Sequence, residues 1–163
     1  MQHEFIALAT DVLHACRKRG LRLATAESCT GGLVAAALTD IAGSSDAVER
    51  GFVTYSNEAK AELLGVPAKL IASHGAVSAE VAAAMAEGAL RHAPVELAVS
   101  ITGIAGPGGA TPTKPVGLVF LGIVRKGGAV RTERHVFPGD RAAVREAATR
   151  RALELLLAAA TGA

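Results

Sequence analysis

A chain of 163 residues, half of them apolar and a fifth charged, suffices for one domain with a sizeable core, and intrinsic disorder is excluded. A net charge of +2, an aromatic share of 3% and no tryptophan leave base stacking and a nucleic-acid surface poorly supplied. Two cysteines without C-x-x-C spacing and five scattered histidines argue against a structural metal; neither a signal peptide nor a membrane-length apolar run is visible, so a soluble, cytoplasmic protein is expected.

Residues 4–19 repeat apolar side chains at helical spacing (Phe5, Leu8, Ala9, Val12, Leu13, Cys16) and stop at Gly20, which predicts a first helix. Arg17-Lys18-Arg19 falls in its last turn, where cations suit the helix dipole, and reads as a solvated helix end. Next come a strand over 21–26, a tight polar loop, and a helix opening at Thr30-Gly31-Gly32 and stopping near Gly43, with Thr30 as its expected N-cap. A loop at Ser44-Ser45 and a short helical turn through Ala47, Val48 and Glu49 lead to a second strand over 51–55, GFVTY. Asn57 is the expected cap of a helix over 58–64 closed by Gly65, and Pro67 opens a further turn. Ser78 caps a long alanine-rich helix that runs to about residue 92. A third strand over 96–101 precedes TGIAGPGGATPTKP, a loop dense in glycine and proline. Residues 116–125 and 129–137 read as a hairpin turning at Lys126-Gly127-Gly128, and Asp140 caps the last helix. No repeat, linker or change of composition divides the chain, so residues 1–163 are expected to form one domain.

The order of elements carries a topology. Three strands alternating with helices predict parallel neighbours in an open α/β sheet, the fourth strand runs antiparallel for want of a crossover helix, and the fifth turns back beside it. Four segments then meet at one sheet edge: the loop after residue 26, the chain from Tyr55, the 102–115 loop, and the start of the last helix. Ligands of open α/β sheets bind at such an edge.

Among the converging groups, Ser28 is the candidate nucleophile, and a serine hydroxyl needs a base. Lys60 can serve once burial lowers its pKa, with Tyr55 relaying the proton or orienting the amine; on the opposite reading Ser28 caps a helix, Tyr55 packs and Lys60 is solvated. Glu27 is a ligand contact, a partner for Lys60, or a surface group. The loop containing Gly103 and Gly106 can wrap a phosphate or ribose but lacks the P-loop pattern. Arg141 and Arg145, one turn apart, suit a phosphate or carboxylate, or else face solvent.

The blocks TAESCTGG, GFVTYSNEAKAELLGV, HGAVS, SITGIAGPGG, KPVGLVF and FPGDRAAVR, in this order, resemble the CinA C-terminal domain family. The resemblance spans residues 21–148. It implies a three-layer α/β/α sandwich whose mostly parallel mixed sheet ends in an antiparallel hairpin. It also implies deamidation of nicotinamide mononucleotide to nicotinic acid mononucleotide and ammonia, without metal or cofactor. The serine of AESCTGG is Ser28; the tyrosine and lysine of TYSNEAK are Tyr55 and Lys60, expected to act as nucleophile, assistant and base. Thr102 and the glycine loop, with Gly103 and Gly106, are expected to line the substrate site. Arg145 and Arg141 are expected at the phosphate, Thr30, Gly31 and Gly32 to supply backbone donors, and Glu27 to meet the pyridinium. The large N-terminal domain that often accompanies this one is not in the sequence, which looks like the stand-alone amidase form.

Two rival readings remain at this level. One is a non-catalytic nucleotide- or phosphate-binding regulatory domain; the other is an assembly domain whose alanine-rich helices bury a homo-oligomer interface. On any of these readings the alanine- and leucine-rich helices at 79–92 and 142–160 lead to the expectation of a homo-oligomer.

Overall fold

The structure, a computed structural model, describes residues 2–162. A 3₁₀ turn leads into α1 (Ile6–Arg19), which ends on Gly20 in the left-handed region. The chain continues through β1 (Leu23–Glu27), α2 (Leu33–Thr39), β2 (Val48–Val53), α3 (Asn57–Leu64), α4 (Ala68–His74) and α5 (Ala79–Arg91). It closes with β3 (Leu97–Gly103), β4 (Leu118–Arg125), β5 (Arg131–Val136) and α6 (Arg141–Thr161). The sheet order is β2-β1-β3-β4-β5, with β1 parallel to β2 and β3, and β4 antiparallel to both its neighbours. Four strands therefore point one way and β4 alone opposes them, as the connectivity predicts.

Helices cover both faces, completing the three layers. On one side α1, α2 and α6 bury Leu13, Leu38, Leu153 and Leu156 against Leu23, Leu97, Ile101 and Leu121 of the sheet. On the other side α3, α4 and α5 pack Leu64, Ile71, Val81 and Met85 over Ala26, Ala98 and Val124. The sheet presents small residues to α5, and the helix lies correspondingly close: Ser100 Oγ donates to the Ala82 carbonyl at 2.6 Å. A Cβ on Gly122 would stand 2.7 Å from that same carbonyl oxygen, which is why β4 carries glycine at its centre. The alanines and leucines of α5 and α6 that suggested self-association are thus largely spent inside the chain.

Several local expectations shift. Strand β2 begins at Val48 rather than at residue 51, because pairing with β1 extends it across the span expected to be a helical turn. The turn before it is the 3₁₀ segment Ser44–Asp46. Helix α2 is short, ending at Thr39 rather than near Gly43. The caps of α5 and α6 are those expected, with Ser78 accepting from Val81 N–H and Asp140 from Ala143 N–H. The cap of α3 moves by one residue: Ser56 is extended and accepts from Ala59 N–H, which leaves Asn57 as the first helical residue. In the last turn of α1, Arg17 donates to the Gly43 carbonyl at 2.7 Å.

Candidate active site

Central strand β1 ends at Glu27, and its continuation is held on both sides. Ser28 N–H donates to the Ile101 carbonyl of β3, and Thr54 N–H, just past β2, donates to the Glu27 carbonyl, each at 2.9 Å. Ser28 thereby stands at the carboxyl edge of the sheet with its position set by backbone pairing.

Lys60 reaches it from the second turn of α3. Its Nζ lies 3.0 Å from Ser28 Oγ, 2.9 Å from the Thr54 carbonyl and 3.3 Å from that of Tyr55. The lysine is 1% exposed, and burial lowers its amine from the ordinary value. A neutral amine has two N–H groups and one lone pair. The Ser56 carbonyl is a further acceptor at 3.5 Å, and with its two N–H groups on carbonyls a neutral amine would have its lone pair left for the serine hydroxyl.

The loop between Ser28 and α2 departs from expectation. Thr30 is not the N-cap; Gly32 holds that place, and Gly31 and Gly32 take φ of 60° and 108°, where a side chain would be strained. The helix start is occupied by the fully buried carboxylate of Glu27. It accepts from Thr30 Oγ1 at 2.7 Å, Val34 N–H at 3.0 Å and Ala35 N–H at 3.1 Å. Glu27 is therefore neither a surface group nor a ligand contact but the capping group of α2, and its carboxylate supplies the negative charge that a helix start favours.

The arginines also find protein partners. Arg145 Nε donates to the Cys29 carbonyl at 3.0 Å and Nη2 to that of Thr30 at 3.2 Å, bracing the Ser28 loop against α6. Arg141 donates from Nη1 to the Gly106 carbonyl at 2.9 Å and from Nη2 to Tyr55 Oη at 3.0 Å. Tyr55 gives the lysine its backbone carbonyl, while its exposed side chain points to Arg141 rather than to Ser28 or Lys60. Among the described residues its hydroxyl bonds to Arg141 and makes no hydrogen bond to Ser28 or Lys60 through which the expected proton relay could run.

A cavity of about 260 Å³ opens over Ser28 and Lys60. Thr102, Gly103 and Gly106 line it as expected, with Tyr55 and Arg141 also on its wall. Thr102 Oγ1 donates to the Ala76 carbonyl at 2.8 Å, tying β3 to the opposite wall. Glu27, Thr30, Gly31, Gly32 and Arg145 lie outside this lining and act from behind it. Sequence reasoning did not single out Cys29, Asn57, Ala76 and Val77 as lining residues. Each had a signal in the motif blocks: Cys29 in TAESCTGG, Asn57 in GFVTYSNEAKAELLGV, and Ala76 and Val77 in HGAVS. Burial pushes the Cys29 thiol up to about 11, so at neutral pH it is protonated and no rival to the serine. A second cavity of about 700 Å³ adjoins the first; Ala105 and Arg141 face both, and Arg145 lies on its wall.

Among known proteins, a family model described as CinA C-terminal domain matches residues 6–160. The chain belongs to the CinA C-terminal domain family. Its relatives within that family include nicotinamide-nucleotide amidohydrolase PncC of Escherichia coli K12. That protein is 53% identical over 153 residues, which cover 94% of this chain and 93% of PncC. A CinA-like protein of Citrifermentans bemidjiense is 59% identical over 140 residues, 86% of this chain but 34% of that longer protein. Among solved structures, competence/damage inducible protein CihA from Agrobacterium tumefaciens superposes with a TM-score of 0.92 at 47% identity, covering 94% of both chains. A CinA superfamily protein from Klebsiella pneumoniae also gives 0.92, at 39% identity, covering 100% of this chain and 99% of that one. Among the described residues no helix is long and apolar enough to cross a membrane.

Proposed function

We propose that the chain is a nicotinamide-nucleotide amidase that converts nicotinamide mononucleotide to nicotinic acid mononucleotide and ammonia through a Ser28–Lys60 pair. The observation that carries the reading is the 3.0 Å approach of a buried lysine amine to a serine hydroxyl at the floor of a cavity. The similarity to PncC supplies the substrate.

Neutral Lys60 takes the proton of Ser28 as its Oγ attacks the carboxamide carbon. The tetrahedral oxyanion meets backbone donors: the N–H groups of Cys29, Ala105 and Gly106 belong to cavity-lining residues and have no hydrogen-bond partner in another described residue. Lys60 returns the proton to the departing nitrogen, ammonia leaves, and an acyl-serine ester remains. Water, deprotonated by the same amine, hydrolyses the ester and restores the serine. Tyr55 is then a wall of the mouth and a partner of Arg141. In this scheme Arg141, which lines both cavities, would meet the nucleotide's phosphate, while Arg145 holds the Ser28 loop. One domain contains every group in this scheme, and the chemistry as written calls for no metal or redox cofactor.

Ammonia release from nicotinamide mononucleotide tests the proposal in wild type, Ser28→Ala and Lys60→Ala. Turnover in wild type and a fall of about 10³-fold or more in both variants, with nucleotide binding kept, is the expected result. A folded wild type that binds the nucleotide and releases no ammonia would instead be a regulatory binding module.

A further inference from the structure

The polar side chains lining the Ser28 cavity are nearly all engaged. Ser28 and Lys60 face each other, Thr102 donates to the Ala76 carbonyl, and Arg141 and Tyr55 are joined. The exception is Asn57, which lines this cavity and another one between α3 and α4, and whose side-chain amide makes no hydrogen bond to another described residue. Ser56 takes the capping duty that the sequence assigned to Asn57, which leaves the Asn57 amide free. Asn57 lies three residues before Lys60 on α3, so both side chains rise from one face of the helix. Their depths differ: Ser28 and Lys60 are 8% and 1% exposed at the floor, whereas Asn57 is exposed at the rim.

We infer that Asn57 is a specificity-determining residue that hydrogen-bonds the ribose hydroxyls of the substrate. This rests on the nucleotide amidase reading and adds to it the means by which the neutral sugar is recognised. A carboxamide carbon that reaches Ser28 Oγ carries its ring into the cavity and leaves the sugar at the rim, the depth at which Asn57 stands. A vicinal diol offers both donors and acceptors without charge. A primary amide matches it, with Oδ1 accepting from one hydroxyl and Nδ2 donating to the other. An arginine or lysine has no acceptor and would read a phosphate instead, which separates the task of Asn57 from that of Arg141.

The test uses Ser28→Ala, which holds substrate without turnover, titrated calorimetrically with nicotinamide mononucleotide and with the same nucleotide lacking both ribose hydroxyls. Adding Asn57→Ala is expected to weaken binding of the complete nucleotide about tenfold and to leave binding of the dideoxy nucleotide unchanged. In the otherwise unaltered enzyme, Asn57→Ala is expected to raise KM about tenfold with little change in kcat. Equal weakening of both ligands, or no weakening of either, overturns the inference, as does failure of Ser28→Ala to bind the complete nucleotide. Because Asn57 is exposed and Ser56 provides the cap, an unchanged thermal midpoint checks that the fold is intact. Failure of the amidase reading shows separately, as absence of ammonia release from wild type.

Discussion

Glu27→Gln distinguishes a group that builds the site from one that touches substrate. The native carboxylate is fully buried and takes three hydrogen bonds, two on Oε1 and one on Oε2. Glutamine keeps an oxygen for Thr30 and Val34 but turns an NH₂ toward Ala35 N–H, donor against donor. Losing one bond to a charged acceptor costs about 1.5–3 kcal/mol. Loss of the negative charge at the helix start adds about 0.3–1 kcal/mol, and the two remaining bonds weaken as their acceptor becomes neutral. The expected destabilisation is about 3 kcal/mol, which for a chain of this size lowers the thermal midpoint by about 6–12 °C. Urea unfolding and a thermal scan measure it, alongside steady-state ammonia release. The loop carrying Ser28 is also loosened, so kcat should fall while KM changes little. A variant of wild-type stability with a raised KM would refute the reasoning and return Glu27 to the substrate.

Three further outcomes follow from the same geometry. Lys60 must be neutral to act and its pKa is lowered by burial, so kcat/KM should rise with pH along a limb lying below the ordinary lysine value of 10.5; a limb at or above it would contradict the base assignment. The unfolded chain binds the extra proton between the lowered and the ordinary value, so this lysine also makes stability climb with pH across that window. Lys114→Ala removes the 2.6 Å bond from Nζ to the His74 carbonyl that ties the glycine loop to the end of α4. Hydrogen exchange should quicken across residues 104–110 and KM should rise, with Lys114→Arg restoring both; unchanged exchange would exclude a clasp. Glu133 is held down at about 2, chiefly by its hydrogen bonds with Arg151 at 2.7 Å. Its stabilisation is present above the unfolded carboxylate value and is lost as pH falls toward 2. After allowance for partial exposure it amounts to about 1–2 kcal/mol, read as the difference in acid unfolding between wild type and Glu133→Gln.

Much of this protein is legible where neighbouring residues decide the outcome. Gly20 and Gly65 end helices because a left-handed residue stops the ladder. Ser78 and Asp140 begin helices because a short oxygen side chain reaches the third N–H after it. The want of a crossover helix after residue 101 reverses β4, and that connectivity brings the four functional segments to one sheet edge. Ser56 and Asn57 show the limit of local reasoning: both can cap, and only the extended backbone at Ser56, with ψ of 164°, selects one.

The remaining assignments needed three dimensions because they depend on which partner arrives from far along the chain. Charge and spacing describe Glu27, Arg141 and Arg145 equally well as ligand contacts or as braces. Tertiary packing places Glu27 beneath α2, Arg145 on the carbonyls of Cys29 and Thr30, and Arg141 between Gly106 and Tyr55. Likewise the residue types made Ser28 and Lys60 candidates, but only the fold brings a lysine from 32 positions away to 3.0 Å from the serine hydroxyl and buries it there. Local sequence determines where the elements begin, end and point; the environment that turns an ordinary side chain into a reactive one is assembled by contacts that no local pattern encodes.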